Sequence, residues 1–599
     1  MNKYGLSAWV LSLGLLSPAL QAVELNYPQR YMGAPTPLAT GPKGALINAA
    51  ALKDLALSVY TQPTVTKLAD GVWVIGGYSI VNCYVIEAPE GLIVYDTGDS
   101  AEEGRKFRAV IEQQISRKPV KAIIYSHSHY AMGAAALVDD PASVEVIGNP
   151  AGNAMVAAMQ SSGGAPAAIP EIGPVLTARA MVQFNNYLPK EGEDAALAMN
   201  IEWKEPAYLP ITRPMGDGEK LRVAGLEMQF FNTVTDDPSL TVWIPQLRLV
   251  LNNSFWPGTP NLYSLRGAVY RDPQVWRNGL RRIRDLQPEL LLSTHALPVS
   301  GKQQVHEAVT RYMDLITLTY DQSLRGILLG LSPDELRYFL YKPRSLAEPA
   351  YNSEIYGESQ WFMPASYYYQ MGWYDDDAAS INKLPPQEEA RRLVALIGGR
   401  DKLVAAAREA LDRKEYAWVL QLLGYQYRLD PQDTEVRALR AQTLRLLGHL
   451  SYGSIGRAFY LSEARAMEGK VQIARLLPPS PKVIASRPTT FVDYLRVRID
   501  PRRAEPYDQV IAFDFPGQPR VALHVRNGIA EFVEAPAQHY RPADIVLQLS
   551  GETWARLFLD PGQLAAAIRQ GEVKVSQGDA QQAEVLLGLF DRLESAPAP

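Results

Sequence analysis

A single cysteine in 599 residues, Cys83, excludes an intramolecular disulfide, so packing alone must hold the fold. Cys83 lies in the alternating apolar stretch SIVNCYVIEA, where a buried packing thiol is expected before a thiolate ligand. A basic excess is also missing. The 59 Lys and Arg stand against 64 Asp and Glu, a net charge of −5, which removes the electrostatic footprint of a nucleic-acid binder. No Gly-rich phosphate loop occurs, and no G-x-S-x-G elbow, so a serine hydrolase has no support. Beyond the first 22 residues no apolar run is long enough for a stable membrane span.

The chain is 47% hydrophobic and 21% charged, the balance of an ordinary globular protein, and too long for one core. Its first 22 residues read as a secretory signal peptide: Lys3, an apolar run from Leu6 to Leu16, then Leu20-Gln21-Ala22 as a small-residue cleavage site. A periplasmic or secreted location is the expectation. Residues 23 to about 60 form a lead-in with one helix, roughly Leu46 to Tyr60. From Val65 to about Gly301, β-branched runs such as VWVIGG, GLIVYDTG and VKAIIYSHSH alternate with helical segments. SAEEGRKFRAVIEQQISR is amphipathic with Ser100 as N-cap. This pattern predicts two sheets with helices outside, an αββα sandwich. Residues 150 to 215 are long for a loop and read as a lid or a plain insertion. From about Ser323 to Lys470 helical spacing takes over, with two helix pairs in a tetratricopeptide-like stack. KVIASRPTT, 482–490, reads as a hinge, and strands return after it.

Chemistry concentrates in Ser126-His127-Ser128-His129-Tyr130-Ala131-Met132-Gly133, just after the apolar run Val120 to Tyr125. The i, i+2 spacing points both imidazoles the same way, as two ligands to one ion require. This block, with GLIVYDTG upstream, resembles the metallo-β-lactamase superfamily, whose members place H-x-H-x-D-H at a strand end. Three more blocks narrow the resemblance to the secreted alkyl sulfatases: NLYSLRGAVYRD from Asn261 to Asp272, MGWYDDDAASINKLPP from Met371 to Pro386, and the C-terminal run from TWARL through GQLAAAIRQGEVKVSQGD.

The resemblance implies a signal peptide (1–22), a metallo-β-lactamase-like α/β domain (23–320), an all-α dimerisation domain (321–480) and a C-terminal α+β sterol-carrier-like domain (481–599). It also implies a homodimeric zinc hydrolase of sulfate esters, with two cations ~3.5–4 Å apart in the intact family site. Residue by residue, His127 and His129 match the first two histidines, and His295 in STHALP matches a late one. Ala131 and Met132 stand where an aspartate and a histidine would hold the second ion. Ser239 and Asn253 stand at two glutamate positions. Arg266 matches the family's sulfate-contacting arginine, with Asn261 and Tyr263 on the same wall; an arginine–carboxylate structural pair is the competing reading of Arg266.

Two dications need anionic ligands, so this residue set disfavours a dinuclear centre. A single zinc on His127 and His129 with Asp236 or Asp237, with His295 nearby, and a metal-free pocket both stay open. The expected function is a divergent alkyl-sulfatase-like metallo-hydrolase with at most one metal, acting on an amphiphilic small molecule. The alternatives are a catalytically inactive binder of amphiphilic anions and a dimeric scaffold. WFMPASYYYQMGWY, 361 to 374, suits dimer packing or an alkyl-chain channel.

Overall fold

Every residue of the strand Gly91–Tyr95 is buried, because this strand runs inside a sheet covered on both faces. The computed structural model describes residues 24–162, 169–197, 204–267, 269–536 and 540–594. In it, seven strands lie side by side in chain order: Thr64–Ala69, Val72–Gly76, Cys83–Ala88, Gly91–Tyr95, Val120–Ile124, Glu145–Gly148 and Arg213–Pro214. The first four pair antiparallel and the rest parallel. A second sheet orders Lys220–Val223, Leu226–Val234, Pro238–Ile244, Leu249–Asn252, Leu290–Ser293 and Val299–Ser300. Its one parallel pair joins Leu249–Asn252 to Leu290–Ser293.

The two sheets face each other across a core that includes Tyr84, Ile93 and Ile124 from one side and Phe230, Leu251 and Leu292 from the other. Helices Ala101–Val110 and Pro273–Asp285 cover the outer faces, completing the αββα sandwich. Ser100 caps the first of these, its hydroxyl accepting from Glu103 N at 3.3 Å. That helix lies unusually close to the His127–Gly133 loop. A Cβ on Gly104 would fall 2.1 Å from the Gly133 carbonyl oxygen, and one on Gly133 would fall 2.0 Å from that of Thr97.

The lead-in differs from the sequence expectation. Its helix runs only from Ala49 to Ala56, because Leu46–Asn48 pairs as a strand with Leu38–Thr40 and Asn48 then caps the helix, its Oδ1 accepting from Ala50 N at 3.0 Å. Within residues 150 to 215, helices Gly152–Ser162 and Gly173–Gln183 give the insert regular structure. The residues read as a signal peptide, 1–22, lie outside the described residues.

The helical domain stacks hairpins: Arg400–Asp412 with Tyr416–Leu429, then Thr434–Leu450 with Ser454–Met467. Leu403, Val419, Leu423 and Val436 are in its core. It is bolted to the sandwich by polar contacts. Arg457, 1% exposed, donates to the carbonyls of Leu46 at 2.7 Å and Glu193 at 2.9 Å. Asp194 takes Arg445 and His449, each at 3.0 Å.

The C-terminal α+β domain has a five-stranded sheet ordered Ile529–Glu534, Val521–Arg526, Asp508–Asp514, Ile545–Leu549, Val573–Gln577. Phe491, Phe513, Trp554 and Leu586 help to form its core. Residues 482–490 are not a hinge. They fall in helices Pro481–Ser486 and Pro488–Leu495, and Ile484 is buried in the same core. Ser480 caps the first helix, and each has proline at its first position, where the missing N–H costs nothing. No helix among the described residues is long and apolar enough to cross a membrane.

Candidate metal and oxyanion site

The site assembles at the carboxyl ends of parallel strands, where open α/β sheets place their ligands. Asp96 follows Gly91–Tyr95, His127 and His129 follow Val120–Ile124, Asn253 follows Leu249–Asn252, and Thr294 and His295 follow Leu290–Ser293. Asp96 stitches these ends together. Its carboxylate accepts from Ser126 N at 2.8 Å and from Thr294 Oγ1 at 3.1 Å, one partner from each sheet. Burial pushes its pKa up to about 7. The turn between Leu226–Val234 and Pro238–Ile244 carries Asp236 and Asp237 to the same place, and Leu240 N donates to the Ser126 carbonyl at 2.7 Å.

His127, His129 and Asp236 bring their ligand atoms within 4.8 Å of one another. His127 Nδ1 meets Ser126 Oγ at 2.8 Å, while its Nε2 is buried with no hydrogen-bond partner. Burial lowers the His127 pKa to about 4, so its imidazole is neutral and keeps a lone pair at neutral pH. For His129, burial pulls the pKa down but Asp237, whose Oδ2 lies 3.0 Å from Nε2, and Asp236 outweigh it, and the net shift is upward. Burial alone would raise Asp236, yet the fields of His127, Arg271 and His129 hold it well below the usual carboxylate range. Asp236 Oδ1 also accepts from Thr235 Oγ1 at 2.9 Å and Asn253 Nδ2 at 3.3 Å.

Two imidazoles and one anionic oxygen suit one divalent cation, and the unpartnered His127 Nε2 fits that role. The set does not suit two. Ala131 is fully buried in an apolar cluster with Phe107 and Ala134 and carries no donor. The Tyr130 ring packs edge-on against both His127 and His295, with centroids 4.9 and 5.2 Å away.

Beside this cluster lie two buried arginines. Arg266 and Arg271 are 7% and 5% exposed, and the Nε of each is buried without a partner. Arg266 Nη1 donates, among the described residues, to the Gly267 carbonyl, at 3.3 Å, and Arg271 Nη1 to the Asn261 carbonyl, at 2.7 Å. Among the described residues neither forms an ion pair. Burial lowers the Arg266 pKa, and the charge of Arg271 lowers it further. The Tyr356 hydroxyl, accepting from Gln183 Nε2 at 3.0 Å, adds a polar group whose own titration responds to both guanidiniums. Two desolvated guanidiniums that form no ion pair among the described residues, although they lie within the field of Asp236, have the chemistry an oxyanion requires.

Residues 332–470 match the family described as alkyl sulfatase dimerisation, residues 479–596 the alkyl sulfatase C-terminal family, and residues 76–147 the metallo-beta-lactamase superfamily. The chain is 31% identical over 541 residues to a linear primary-alkylsulfatase of Pseudomonas sp., spanning 86% of this chain and 99% of that protein. The chain belongs to the alkyl sulfatase family of the metallo-β-lactamase superfamily. Other relatives are an (R)-specific secondary-alkylsulfatase of Pseudomonas sp. at 28% identity, over 86% of this chain and 79% of that one, and an alkyl/aryl-sulfatase of Saccharomyces cerevisiae at 25%, over 88% and 83%. The solved structure of the stereoselective inverting sec-alkylsulfatase Pisa1 from Pseudomonas sp. superposes with a TM-score of 0.73 at 22% identity, over 95% of this chain and 93% of that one, a shared fold.

Against this family frame, the structure places the residues singled out in the sequence as follows. His127 and His129 share one cluster, and the carboxylate that joins them is Asp236. Asp237 is instead the ion-pair partner of His129. His295 lies outside the three-residue group, flanked by the rings of Tyr130 and Trp256, with its Nδ1 3.3 Å from the Ile80 carbonyl oxygen. Asn261 is buried, its Oδ1 unpartnered, and Arg266 is buried nearby on the same loop. Tyr263 packs half-buried against the apolar cluster of Phe255, Trp276 and Tyr312. Arg271, Tyr356 and Gln183 went unread in the sequence. Arg271 is the penultimate residue of the NLYSLRGAVYRD block, and a second arginine five residues after the first was the available signal. Asp99 was also missed; burial, then Glu103, pushes its pKa up to about 8.

Proposed function

We propose that this protein hydrolyses sulfate esters of hydrophobic alcohols at a site built for one divalent cation. The observation that carries the reading is the pair of buried, unpaired guanidiniums of Arg266 and Arg271 beside the His127, His129 and Asp236 cluster. The relatives' activity, on alkyl sulfates by their names, agrees with that chemistry.

Arg266 and Arg271 would grip the sulfate, each charge-assisted hydrogen bond contributing about 1.5–3 kcal/mol once water is excluded. Asn261, held through its carbonyl by Arg271, fixes the loop that carries Arg266. His127, His129 and Asp236 would hold the cation, with zinc the best match to two nitrogens and one oxygen. When bound, that cation supplies Lewis acidity toward charge growing on the ester oxygens. Ser126 fixes the His127 ring, and Asp237 fixes the His129 ring, as supporting partners of such ligands do.

The same reading extends to assembly and place. Tyr368, Tyr369, Met371, Trp373, Ile381 and Leu384, exposed by between 43% and 66%, form an apolar surface in the region matched to the dimerisation family, and we read it as the homodimer interface. We read the C-terminal domain as sterol-carrier-like, receiving the alkyl tail, and the protein as periplasmic or secreted.

The test is sulfate release from dodecyl sulfate by protein reconstituted with zinc, manganese or iron, together with metal content. About one equivalent of metal and turnover lost in His127→Ala support the hydrolase. Saturable dodecyl sulfate binding that depends on Arg266, without turnover under any metal, would leave a binder of amphiphilic anions instead.

A further inference from the structure

The helix Gly173–Gln183 presents one face to the oxyanion site and another to a separate cavity. On the first, Gln183 bonds Tyr356 and Ser264, and Arg179 Nη2 donates to the Leu265 carbonyl at 2.6 Å. On the second, Val175, Ala178 and Val182, spaced i, i+3 and i+7, line a cavity of about 530 Å³, with Arg179 at the boundary between the two faces. Its remaining walls come from helices Tyr416–Leu429, Thr434–Leu450 and Ser454–Met467 and from the connector 471–475. The connector is held in place, since Leu477 N donates to the Pro174 carbonyl at 2.9 Å and Ala474 N to the Tyr187 hydroxyl at 3.4 Å. No lining residue belongs to the cation cluster or to the arginine pair.

The lining has two characters. Ala178, Val182, Phe459, Met467 and Ile473 make an apolar wall. Arg179, Arg437 and Arg475 supply three positive charges against one carboxylate, Glu463, which Arg440 already engages at 2.8 Å. Arg437 spends its Nη groups on the carbonyls of Pro431 and Met467. Arg475 is exposed and has no ion-pair partner among the described residues. The volume lies in the range of small-molecule sites, roughly 300–1,000 Å³. Apolar side chains with a net positive charge among them, Arg475 being the cation without an ion-pair partner among the described residues, suit one chemistry: an extended hydrocarbon chain ending in an anion.

We propose that this cavity is a second binding site, for a single-chain anionic amphiphile, separate from the site of ester cleavage. It requires no turnover and no metal, so it stands or falls independently of the hydrolase reading.

The test uses the full-length Arg266→Ala protein, in which the oxyanion site is weakened, titrated calorimetrically with sodium dodecanoate below its micelle threshold. Saturable uptake of about one equivalent is expected. Adding Arg475→Glu should weaken it at least fivefold. Adding Ala178→Trp, or Ile473→Trp at the half-buried connector, should abolish it. Thermal melts identify any tryptophan variant that misfolds, and the exposed Arg475→Glu change keeps the test intact in that case. No saturable binding in Arg266→Ala, or equal affinity in the folded Arg475→Glu and tryptophan variants, would overturn the proposal.

Discussion

Arg271 donates from Nη1 to the carbonyl of Asn261 at 2.7 Å, so one buried guanidinium braces the start of the loop on which the other, Arg266, is carried. Removing it therefore costs both a charge and a support. We expect Arg271→Ala to weaken dodecyl sulfate binding about 10- to 100-fold, the worth of one charge-assisted contact. Arg271→Lys keeps the charge but loses the fork, and should recover only part of that loss. Titration of the metal-free proteins reads the effect without turnover, and wild-type affinity in Arg271→Ala would remove it from the anion site.

The two adjacent aspartates should separate in a metal titration. Asp236 joins the ligand cluster, whereas Asp237 holds His129. Asp236→Asn should lose stoichiometric zinc, and Asp237→Asn should keep one equivalent with affinity about tenfold weaker. Competition against a chromophoric chelator distinguishes them, and equal losses would contradict the division of roles.

Gly104 tests the close approach behind the histidine loop. A methyl group there meets the Gly133 carbonyl oxygen at 2.1 Å, and backbone cannot move aside cheaply. Gly104→Ala should lower stability by about 3 kcal/mol, the upper end of ordinary overpacking. It should also weaken zinc binding, because the loop that must shift carries His127 and His129. An unchanged urea midpoint would show that the loop tolerates the displacement.

Asp194 supplies a pH signature for the bolt between sandwich and helical domain. Burial would raise its pKa, but His449 and Arg445 outweigh that and lower it to about 2. The folded value lies below the unfolded one, near 3.9, so the contribution is fully present above that and lost as pH falls toward 2. With partial solvent screening it should amount to about 1 kcal/mol. In urea melts Asp194→Asn should therefore be less stable than wild type at pH 6, with the gap closing in acid. A gap that stays constant down to pH 3 would exclude this coupling.

The aromatic surface around Trp373 should control assembly. Tyr368→Glu with Trp373→Glu places charges on residues 49% and 66% exposed, so the fold should survive while the dimer dissociates. Light scattering after gel filtration gives the mass directly, and an unchanged dimer would place the interface elsewhere.

Much of this was legible in one dimension. The buried strands announced themselves as apolar runs ending in Gly or Asp, and Ser100 announced the helix it caps, because periodicity and capping are local. The hinge expected at 482–490 is absent, because Pro481 and Pro488 each start a helix, and Ile484 from the first and Phe491 from the second anchor them in the core. Tyr263, two residues from Asn261, packs half-buried against the apolar cluster of Phe255, Trp276 and Tyr312, a contact made across long sequence separation.

The sequence by itself determined the fold class, the family blocks and the placing of His127 and His129 together just past a strand end, although the strand stops at Ile124 and it is the loop after it that brings the two rings together. Only the tertiary structure decided which aspartate joins them, that Tyr130 stands against His295, and that Arg271 reaches the Asn261 carbonyl. Those choices depend on how two sheets and their turns meet across long sequence separations, and no local pattern encodes the distance between Asp236 and His127.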